Sequence, residues 1–197
     1  MNNETGIARI AASLRSEAET VLRQKGLLRI LSEYGAPHVS GSYPLDLMTW
    51  RDLDIYLESY AMPEDRFFHL GGQIANALAP SRMQYRNERV AHTEGLPLGL
   101  YWGIYFNLSD SQLWKTDIWC VPEDECRRLL QHCSNIQRRL TPETREAILQ
   151  IKSACWKHPE YRFGFSSQDI YEAVLDHGMR TLEQFREHLE KQKGISV

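Results

Sequence analysis

The spacing of apolar residues divides the chain into helical and extended segments. Apolar positions recur every three or four residues over 5–24, which predicts an amphipathic helix, and a shorter helical segment follows at 27–31. Another helix is predicted between Pro63 and Pro80, because proline is favoured at the first helical position and interrupts a helix elsewhere. Segments rich in β-branched and aromatic residues predict strands at 38–41, 52–58, 82–91, 99–108 and 113–121.

The last third of the chain has a helical pattern throughout. After Pro122, leucines and paired arginines recur at helical spacing as far as Arg139. Further helices are predicted from residues that can accept a hydrogen bond from the free N–H groups of a first helical turn. These predicted N-cap residues are Thr141, Ser166 and Thr181.

Together these elements predict an α+β protein in two parts. Residues 1–122 are expected to form a small mixed β-sheet backed by helices, and residues 123–197 a helical C-terminal region packed on it. The tripeptide Ser109-Asp110-Ser111 is typical of a hairpin turn between the last two predicted strands.

Composition limits the expected location and partners. The 197 residues carry a formal net charge of −3, so no overall basic field favours nucleic acid or an anionic membrane, and we expect neither as a partner. The polar N-terminus and the absence of any apolar run near the length of a membrane span indicate a cytoplasmic protein. The four cysteines form no CxxC pair and are expected to be reduced thiols. A zinc site is a weaker alternative, and its ligands would be Cys120, Cys126, Cys133 and His132.

Candidate chemistry concentrates in the stretch 39–58, VSGSYPLDLMTWRDLDIYLE. A strand ending at Gly41-Ser42 is followed, after nine residues, by a strand that begins with Asp52 and Asp54. Side chains two positions apart on a strand point to the same face, so both carboxylates are directed at one place. Two anions held together favour a cation between them, and Mg²⁺ prefers such oxygen ligands. Because the Gly-Ser step offers N–H groups and a hydroxyl to phosphate oxygens, the stretch predicts a metal–nucleotide site.

A third carboxylate strengthens this prediction. Asp117 lies in LWKTDIWCV, a predicted strand that is otherwise largely apolar. An unpaired charge in such a strand is costly, so Asp117 needs a partner. If this strand lies beside the Asp52–Asp54 strand, the three carboxylates can converge on one or two metal ions that hold the attacking and leaving oxygens of a phosphoryl transfer.

The same residues resemble the DNA polymerase β-type nucleotidyltransferase superfamily. The shared pattern is an apolar residue before Gly41-Ser42, a nine-residue connection, the sequence Asp52-Leu53-Asp54-Ile55, and Asp117 on a later strand. The sequence WRDLDI is similar to small nucleotidyltransferases that act on lincosamide and aminoglycoside antibiotics. The resemblance covers residues 27–121. The chain has Gly-Ser-Tyr-Pro where those antibiotic enzymes often have Gly-Gly and a nearby acid, which leaves the acceptor open.

The resemblance implies a nucleotidyltransferase fold and a role for each matching residue. Asp52 and Asp54 would bind Mg²⁺, with two ions expected, and Asp117 would ligate the catalytic metal or serve as general base. Gly41 and Ser42 would hold the triphosphate of ATP or another NTP.

Cations outside the family motif are further candidates for contact with the nucleotide. Arg51 and Lys115 flank the acids and could neutralise phosphates, although charged residues at strand ends are usually only solvated. The stretch 152–162, KSACWKHPEYR, mixes cations with aromatic rings that could stack on a base, and anchoring of a hydrophobic core is the simpler interpretation. Arg82 and Arg86 share one face of a predicted strand, where they could also meet a triphosphate.

The function expected is Mg²⁺-dependent transfer of a nucleoside monophosphate, AMP in the first instance, from an NTP to a hydroxyl of a small molecule. The protein would be a monomer or a homodimer. Two alternatives stay open: a non-catalytic partner of the same fold, as in a toxin–antitoxin pair, or nucleotidylation of a protein or an RNA. The presence of all three aspartates favours the active enzyme, since a decayed site usually loses one.

Overall fold

The architecture is taken from a computed structural model that describes residues 3–109 and 112–197, with side chains from Gly6 onward. The elements, in order, are α1 (Asn3–Glu19), a π-helical turn (Thr20–Gln24), α2 (Leu27–Ser32), β1 (Ala36–Ser40), β2 (Asp52–Glu58), α3 (Glu64–Leu78), β3 (Arg82–Asn87), α4 (Glu88–Ala91), β4 (Leu100–Asn107), β5 (Leu113–Val121), α5 (Glu123–Arg139), α6 (Pro142–Cys155), α7 (Ser167–Leu175) and α8 (Leu182–Lys193).

The five strands form one mixed sheet in the order β1-β2-β5-β4-β3. Among the described strands, only β2 and β5 pair in parallel within this sheet, and their register sets Asp52 beside Lys115 and Asp54 beside Asp117. The other three pairs are antiparallel. Pro37 is tolerated in β1 because that strand is an edge of the sheet, where a missing N–H donor breaks no ladder. The predicted α+β class with a mixed sheet backed by helices is confirmed.

Two hydrophobic clusters hold the molecule together. The first covers one face of the sheet with α1, α2 and α3, and the inward residues of β2 in this cluster are Leu53, Ile55 and Leu57. The second joins helices of the C-terminal region and also includes Leu45 and Leu47, from the connection between β1 and β2. The loop that leads into the acidic strand is therefore anchored on the helical region, by burial of apolar surface.

Several predicted boundaries differ from the observed ones. The strand predicted at 82–91 ends at Asn87, whose side chain accepts a hydrogen bond from the N–H of Arg89 and caps the short helix α4. The predicted helix at 5–24 is instead α1 followed by the π-helical turn. Of the predicted turn Ser109-Asp110-Ser111, the last two residues lie outside the described residues.

The predicted helix starts in the C-terminal region are confirmed. Thr141, Ser166 and Thr181 each cap a helix through the side-chain oxygen, and each completes a capping box. The predicted division at residue 122 coincides with the residue before α5 and stays a prediction as a domain boundary. Among the described residues, no helix has the length and apolar character that a membrane crossing requires.

Candidate active site

The pairing of β2 with β5 brings four charged side chains to one face of the sheet. Along β2, Asp52 and Asp54 alternate with fully buried leucine and isoleucine side chains that face the opposite way. Along β5, Lys115 and Asp117 alternate in the same manner with buried Trp114 and Thr116. Because the two strands are parallel and in register, the three carboxylates and the ammonium lie together on the face away from the first hydrophobic cluster.

Gly41 is fitted against one of these carboxylates. Its backbone has φ of +67°, and a Cβ atom placed there would collide with the Oδ2 atom of Asp54. Any L-amino acid with a side chain would therefore be strained and would also push the carboxylate aside. The glycine of the Gly-Ser step lets the backbone approach Asp54 closely.

Neighbouring side chains hold the carboxylates in position. The Tyr101 hydroxyl donates a hydrogen bond of 2.6 Å to Oδ1 of Asp117, and the Lys115 ammonium donates to its Oδ2. The Tyr101 phenol lies over Gly103, which pairs with Asp117 across the strands and where a side chain would collide with the phenol oxygen. Among the described side chains, the Asp52 carboxylate accepts only one long hydrogen bond, of 3.4 Å, from Nη2 of Arg162 to its Oδ2.

The electrostatics of the site favour a bound cation. Burial, followed by repulsion from Asp54, raises the pKa of Asp52 well above its ordinary value. Burial, followed by repulsion from Asp117, raises the pKa of Asp54 to about 6. The Oδ1 atom of Asp52 is buried and has no hydrogen-bond partner among the described residues. Hard oxygen ligands with an excess of negative charge and an unsatisfied oxygen fit Mg²⁺.

The acidic face forms one wall of a cleft of about 220 Å³, and the helical region forms the other. Its lining residues are Gly41, Ser42, Trp50, Asp52, Asp54, Lys152, Tyr161, Arg162, Ser166, Ser167, Gln168 and Tyr171.

Lys152 is the buried cation of the opposite wall. Its side chain is 1% exposed, and its ammonium donates to the Leu47 carbonyl oxygen at 2.8 Å and to the Tyr171 hydroxyl at 3.2 Å. Burial lowers its pKa to about 8, and the negative charges of Asp52 and Asp54 oppose that shift. An ammonium has three donors, so Lys152 can make one more hydrogen bond, to an anion in the cleft.

Arg162 and Trp50 form the mouth of the cleft. The guanidinium of Arg162 lies 3.9 Å from the centre of the Trp50 ring and also reaches Asp52. Trp50 stacks in turn on Trp156, with ring centres 6.2 Å apart and planes 16° apart. Arg162 holds a backbone φ of +79°, which is unusual for a residue with a side chain and is tolerated only where the surroundings fix it.

All but one of the predicted site residues lie in or next to the cleft. Gly41, Ser42, Asp52 and Asp54 line the cleft, whereas Asp117 and Lys115 lie beside it on the next strand.

Arg51, predicted to bind the nucleotide, is not among the lining residues. Its guanidinium makes two hydrogen bonds to the carboxylate of Glu17, on α1, at 2.7 and 3.0 Å. Its nucleotide-binding role stays a prediction.

Arg82 and Arg86 also lie elsewhere, on the edge strand β3. Arg82 stacks over the Tyr105 ring, and Arg86 pairs with Glu88.

Sequence reasoning did not assign Trp50 or the serines at the start of α7 to the site, and it named Lys152 only as part of the candidate stretch 152–162. The mixture of cations and aromatics in 152–162 was the available signal, and Tyr161 and Arg162 from that stretch do line the cleft. Nothing in the sequence indicated that Lys152 would be buried beside the aspartates.

Comparison of the sequence with known proteins gives no match, either to a protein-family model or, at significance, to a curated protein. Comparison of the structure gives clear matches. A Cid1 poly(U) polymerase structure bound to MgATP has a TM-score of 0.59 and 11% identity over 89% of this chain and 55% of its own. The chain has the nucleotidyltransferase fold.

Two further solved structures also match the fold of this chain. A cytoplasmic RNA terminal U-transferase has a TM-score of 0.54 and 12% identity over 87% of this chain and 54% of its own. The GLD-2/RNP-8 complex has a TM-score of 0.50 and 11% identity over 87% of this chain and 64% of the matched chain. The chain thus spans about half to two thirds of these neighbours, which belong to the DNA polymerase β-type superfamily. They do not support the narrower resemblance to antibiotic nucleotidyltransferases, which stays a prediction.

One expectation is overturned by these neighbours. The net charge of −3 led us not to expect nucleic acid as a partner, yet proteins with this fold include an RNA terminal U-transferase and a Cid1 structure in complex with its short product ApU. Net charge is a sum over the whole surface and does not describe one wall of one cleft. Here, Lys152 and Arg162 both line the cleft, whereas most of the acidic residues of the chain lie outside it.

Replacement of Gly41 tests whether its close approach to Asp54 matters. We expect Gly41→Ala to lower the melting temperature and to abolish the stabilisation given by Mg²⁺, because the new methyl group displaces the Asp54 carboxylate. Gly178→Ala is the matched control. Gly178 has φ of +70° with open space around it, so this substitution introduces backbone strain without a collision. Equal Mg²⁺ responses of the two variants would contradict the assignment.

Replacement of Asp54 tests the electrostatics of the metal-free site. Because the pKa of Asp54 in the folded protein, about 6, exceeds its ordinary value of 3.8, ionisation destabilises the fold as pH rises through 6. In EDTA, we expect Asp54→Asn to be more stable than wild type by about 1–3 kcal/mol at pH 7.5 and by much less at pH 4. Thermal melts at both pH values measure this difference.

Magnesium should reverse the order of stability between these two proteins. Added Mg²⁺ is expected to raise the melting temperature of wild type at pH 7.5, where it replaces the repulsion between carboxylates with attraction, and to leave Asp54→Asn almost unchanged. Identical responses of the two proteins to Mg²⁺, with and without ATP, would remove the basis for a metal site.

Proposed function

We propose that this protein transfers a nucleoside monophosphate from an NTP to the terminal hydroxyl of an RNA, with Mg²⁺ bound by the aspartates. The observation that carries the proposal is the meeting of Asp52, Asp54 and Asp117 on one sheet face, in a fold whose neighbours include structures bound to MgATP and MgGTP. The residues that support it come from both walls of the cleft.

The aspartates supply the metal ligands and the acceptor-side base. Asp52 and Asp54 would hold Mg²⁺, which in such sites neutralises charge on the phosphoryl group and on the attacking and leaving oxygens. Asp117 has both oxygens engaged by Tyr101 and Lys115, which distinguishes it from the other two and orients it. We assign Asp117 to the acceptor side, where its carboxylate would take the proton from the attacking hydroxyl.

The opposite wall supplies groups for the triphosphate. Lys152 offers a free donor and a positive charge inside the cleft, and Ser42 adds a hydroxyl beside the glycine of the Gly-Ser step. Arg162 can leave its long contact with Asp52 for a phosphate oxygen, since charge-assisted hydrogen bonds to phosphate are stronger than a 3.4 Å contact. Positioning and neutralisation of charge are the main contributions that such a reaction needs from protein groups.

Aromatic rings at the mouth of the cleft suit a nucleic-acid acceptor. Trp50 and Trp156 stack on each other next to Asp52, and a cation covers each outer face, Arg162 on Trp50 and Lys157 on Trp156. Bases stack on such rings without strong sequence preference, and cations beside them meet the phosphates. A small hydroxylated molecule would use little of this surface, so RNA is the acceptor that the geometry favours.

Transfer to RNA is tested with labelled NTPs, Mg²⁺ and a short single-stranded RNA. We expect the RNA to be extended at its 3′ end, and an RNA that lacks the terminal 3′ hydroxyl not to react. Asp54→Asn and Asp117→Asn should each lower the rate at least about 100-fold, because the first removes a ligand of Mg²⁺ and the second removes the general base. Transfer to hydroxylated small molecules in preference to RNA would contradict the acceptor, and no transfer by wild type to either would contradict the activity.

Lys152 is tested by replacement with a side chain of similar length and no charge. Lys152→Met should weaken NTP binding by about 10–100-fold, the range expected when a hydrogen bond between a cation and a phosphate is lost. Lys191→Met is the matched control, because Lys191 is exposed and lies outside the lining of the cleft. Equal NTP affinities of the two variants, measured by calorimetry, would exclude the assigned role of Lys152.

A further inference from the structure

A second group of metal-ligating side chains lies at the opposite end of β2 from the aspartates. His38 of β1, Glu58 of β2 and Cys126 of α5 each direct one ligand atom to a common place, and these three atoms lie within 4.8 Å of one another. None of the three belongs to the candidate active site. The resemblance to nucleotidyltransferases, which rests on the Gly-Ser step and the aspartates, gives this cluster no role.

The fold explains why the three residues meet. Ala36 pairs with Glu58 across the antiparallel strands, so His38, two residues further along β1, lies on the same face as Glu58 and diagonal to it. Helix α5 packs against β1 and β2 on this face. Cys126 is in the first turn of that helix and is fully buried, which places its thiol against the two strands.

The polar atoms of the cluster are poorly satisfied without a ligand. The Nε2 atom of His38 is buried and has no hydrogen-bond partner in the part of the chain that the structure describes, although it lies 3.4 Å from Oε2 of Glu58. Buried polar atoms are nearly always paired, so this nitrogen is an exception that a ligand would explain. The His38 and Glu58 side chains are 35% and 33% exposed, which leaves a path for an ion to enter.

The types of ligand identify the ion. We propose that His38, Glu58 and Cys126 bind a zinc ion, with water in the fourth position. Imidazole nitrogen, thiolate sulfur and carboxylate oxygen are the usual zinc ligands, at roughly 2.0–2.3 Å, whereas Mg²⁺ avoids sulfur. Two ligand atoms on one tetrahedral zinc are about 3.3–3.8 Å apart. Side-chain movements that shift the ligand atoms by about 1 Å would therefore bring all three to bonding distance of one ion.

Zinc at this place would tie the helical region to the strands of the active site. When the ion binds, the Cys126 thiol releases its proton to solvent and the sulfur–zinc bond forms, while His38 binds through its neutral Nε2. The bond links α5, the first helix after the sheet, to β1, which leads into the Gly-Ser step, and to β2, which carries the two aspartates. The ion therefore has a structural role and takes no part in the transfer.

The site is tested by titration of the metal-free full chain with Zn²⁺, followed by calorimetry and thermal melts. Wild type should bind one zinc per chain and melt at a higher temperature with it. Cys126→Ser and His38→Gln should each weaken this binding at least about tenfold. Cys133→Ser is the matched control, because Cys133 lies seven residues along the same helix and should keep full affinity.

Cobalt provides a readout that identifies the sulfur ligand. Co²⁺ bound in place of zinc should give a thiolate-to-metal charge-transfer band in wild type and Cys133→Ser, and no such band in Cys126→Ser. His38→Gln changes a partly exposed residue and keeps the test valid if Cys126→Ser fails to fold. The proposal is overturned if zinc affinity is unchanged in both variants, or if it is lost in Asp54→Asn and kept in Cys126→Ser, which would place the ion among the aspartates.

Discussion

Repulsion among three carboxylates on adjacent parallel strands is the constraint on which this structure depends. The register that sets Asp54 beside Asp117 cannot be relaxed without moving Leu53, Ile55 and Ile118 out of the first hydrophobic cluster. A shift by one residue would turn every side chain of the strand to the other face. Hydrophobic packing therefore holds the acids together against their charge, and the remaining electrostatic cost favours any cation that can reach them.

The cations that answer this charge come from three separate parts of the chain. Lys115 is on the same strand as Asp117, Arg162 follows helix α6, and Lys152 lies within α6 itself. Lys152 can be buried only because the Leu47 carbonyl and the Tyr171 hydroxyl accept its hydrogen bonds. The helical region is thus part of the site, and it is fixed there by Leu45 and Leu47, which the loop before β2 contributes to the second hydrophobic cluster.

These dependencies explain what could be predicted from sequence. The Asp52–Asp54 pair, the Gly-Ser step and Asp117 follow from local rules, since alternation along a strand and the cost of a buried charge act within a few residues. Lys152 could not be found in this way, because its burial depends on Leu47, 105 residues earlier in the chain. Arg51 shows the same limit: its position next to Asp52 suggested a phosphate ligand, and nothing in the sequence indicated that its guanidinium would hydrogen-bond Glu17 of α1. For both Lys152 and Arg51, a contact with a residue far away in the sequence determines where the side chain lies.

Strand β2 also separates two kinds of metal chemistry along its length. At its start, Asp52 and Asp54 offer only oxygen, and at its end Glu58 is joined by nitrogen from His38 and sulfur from Cys126. Zinc binds N and S ligands far more tightly than magnesium does, whereas cellular Mg²⁺ can occupy an all-oxygen site through abundance and charge. The same strand can therefore present both sites without exchange of their ions, provided that α5 stays packed on the sheet and keeps the Cys126 sulfur at the distal end.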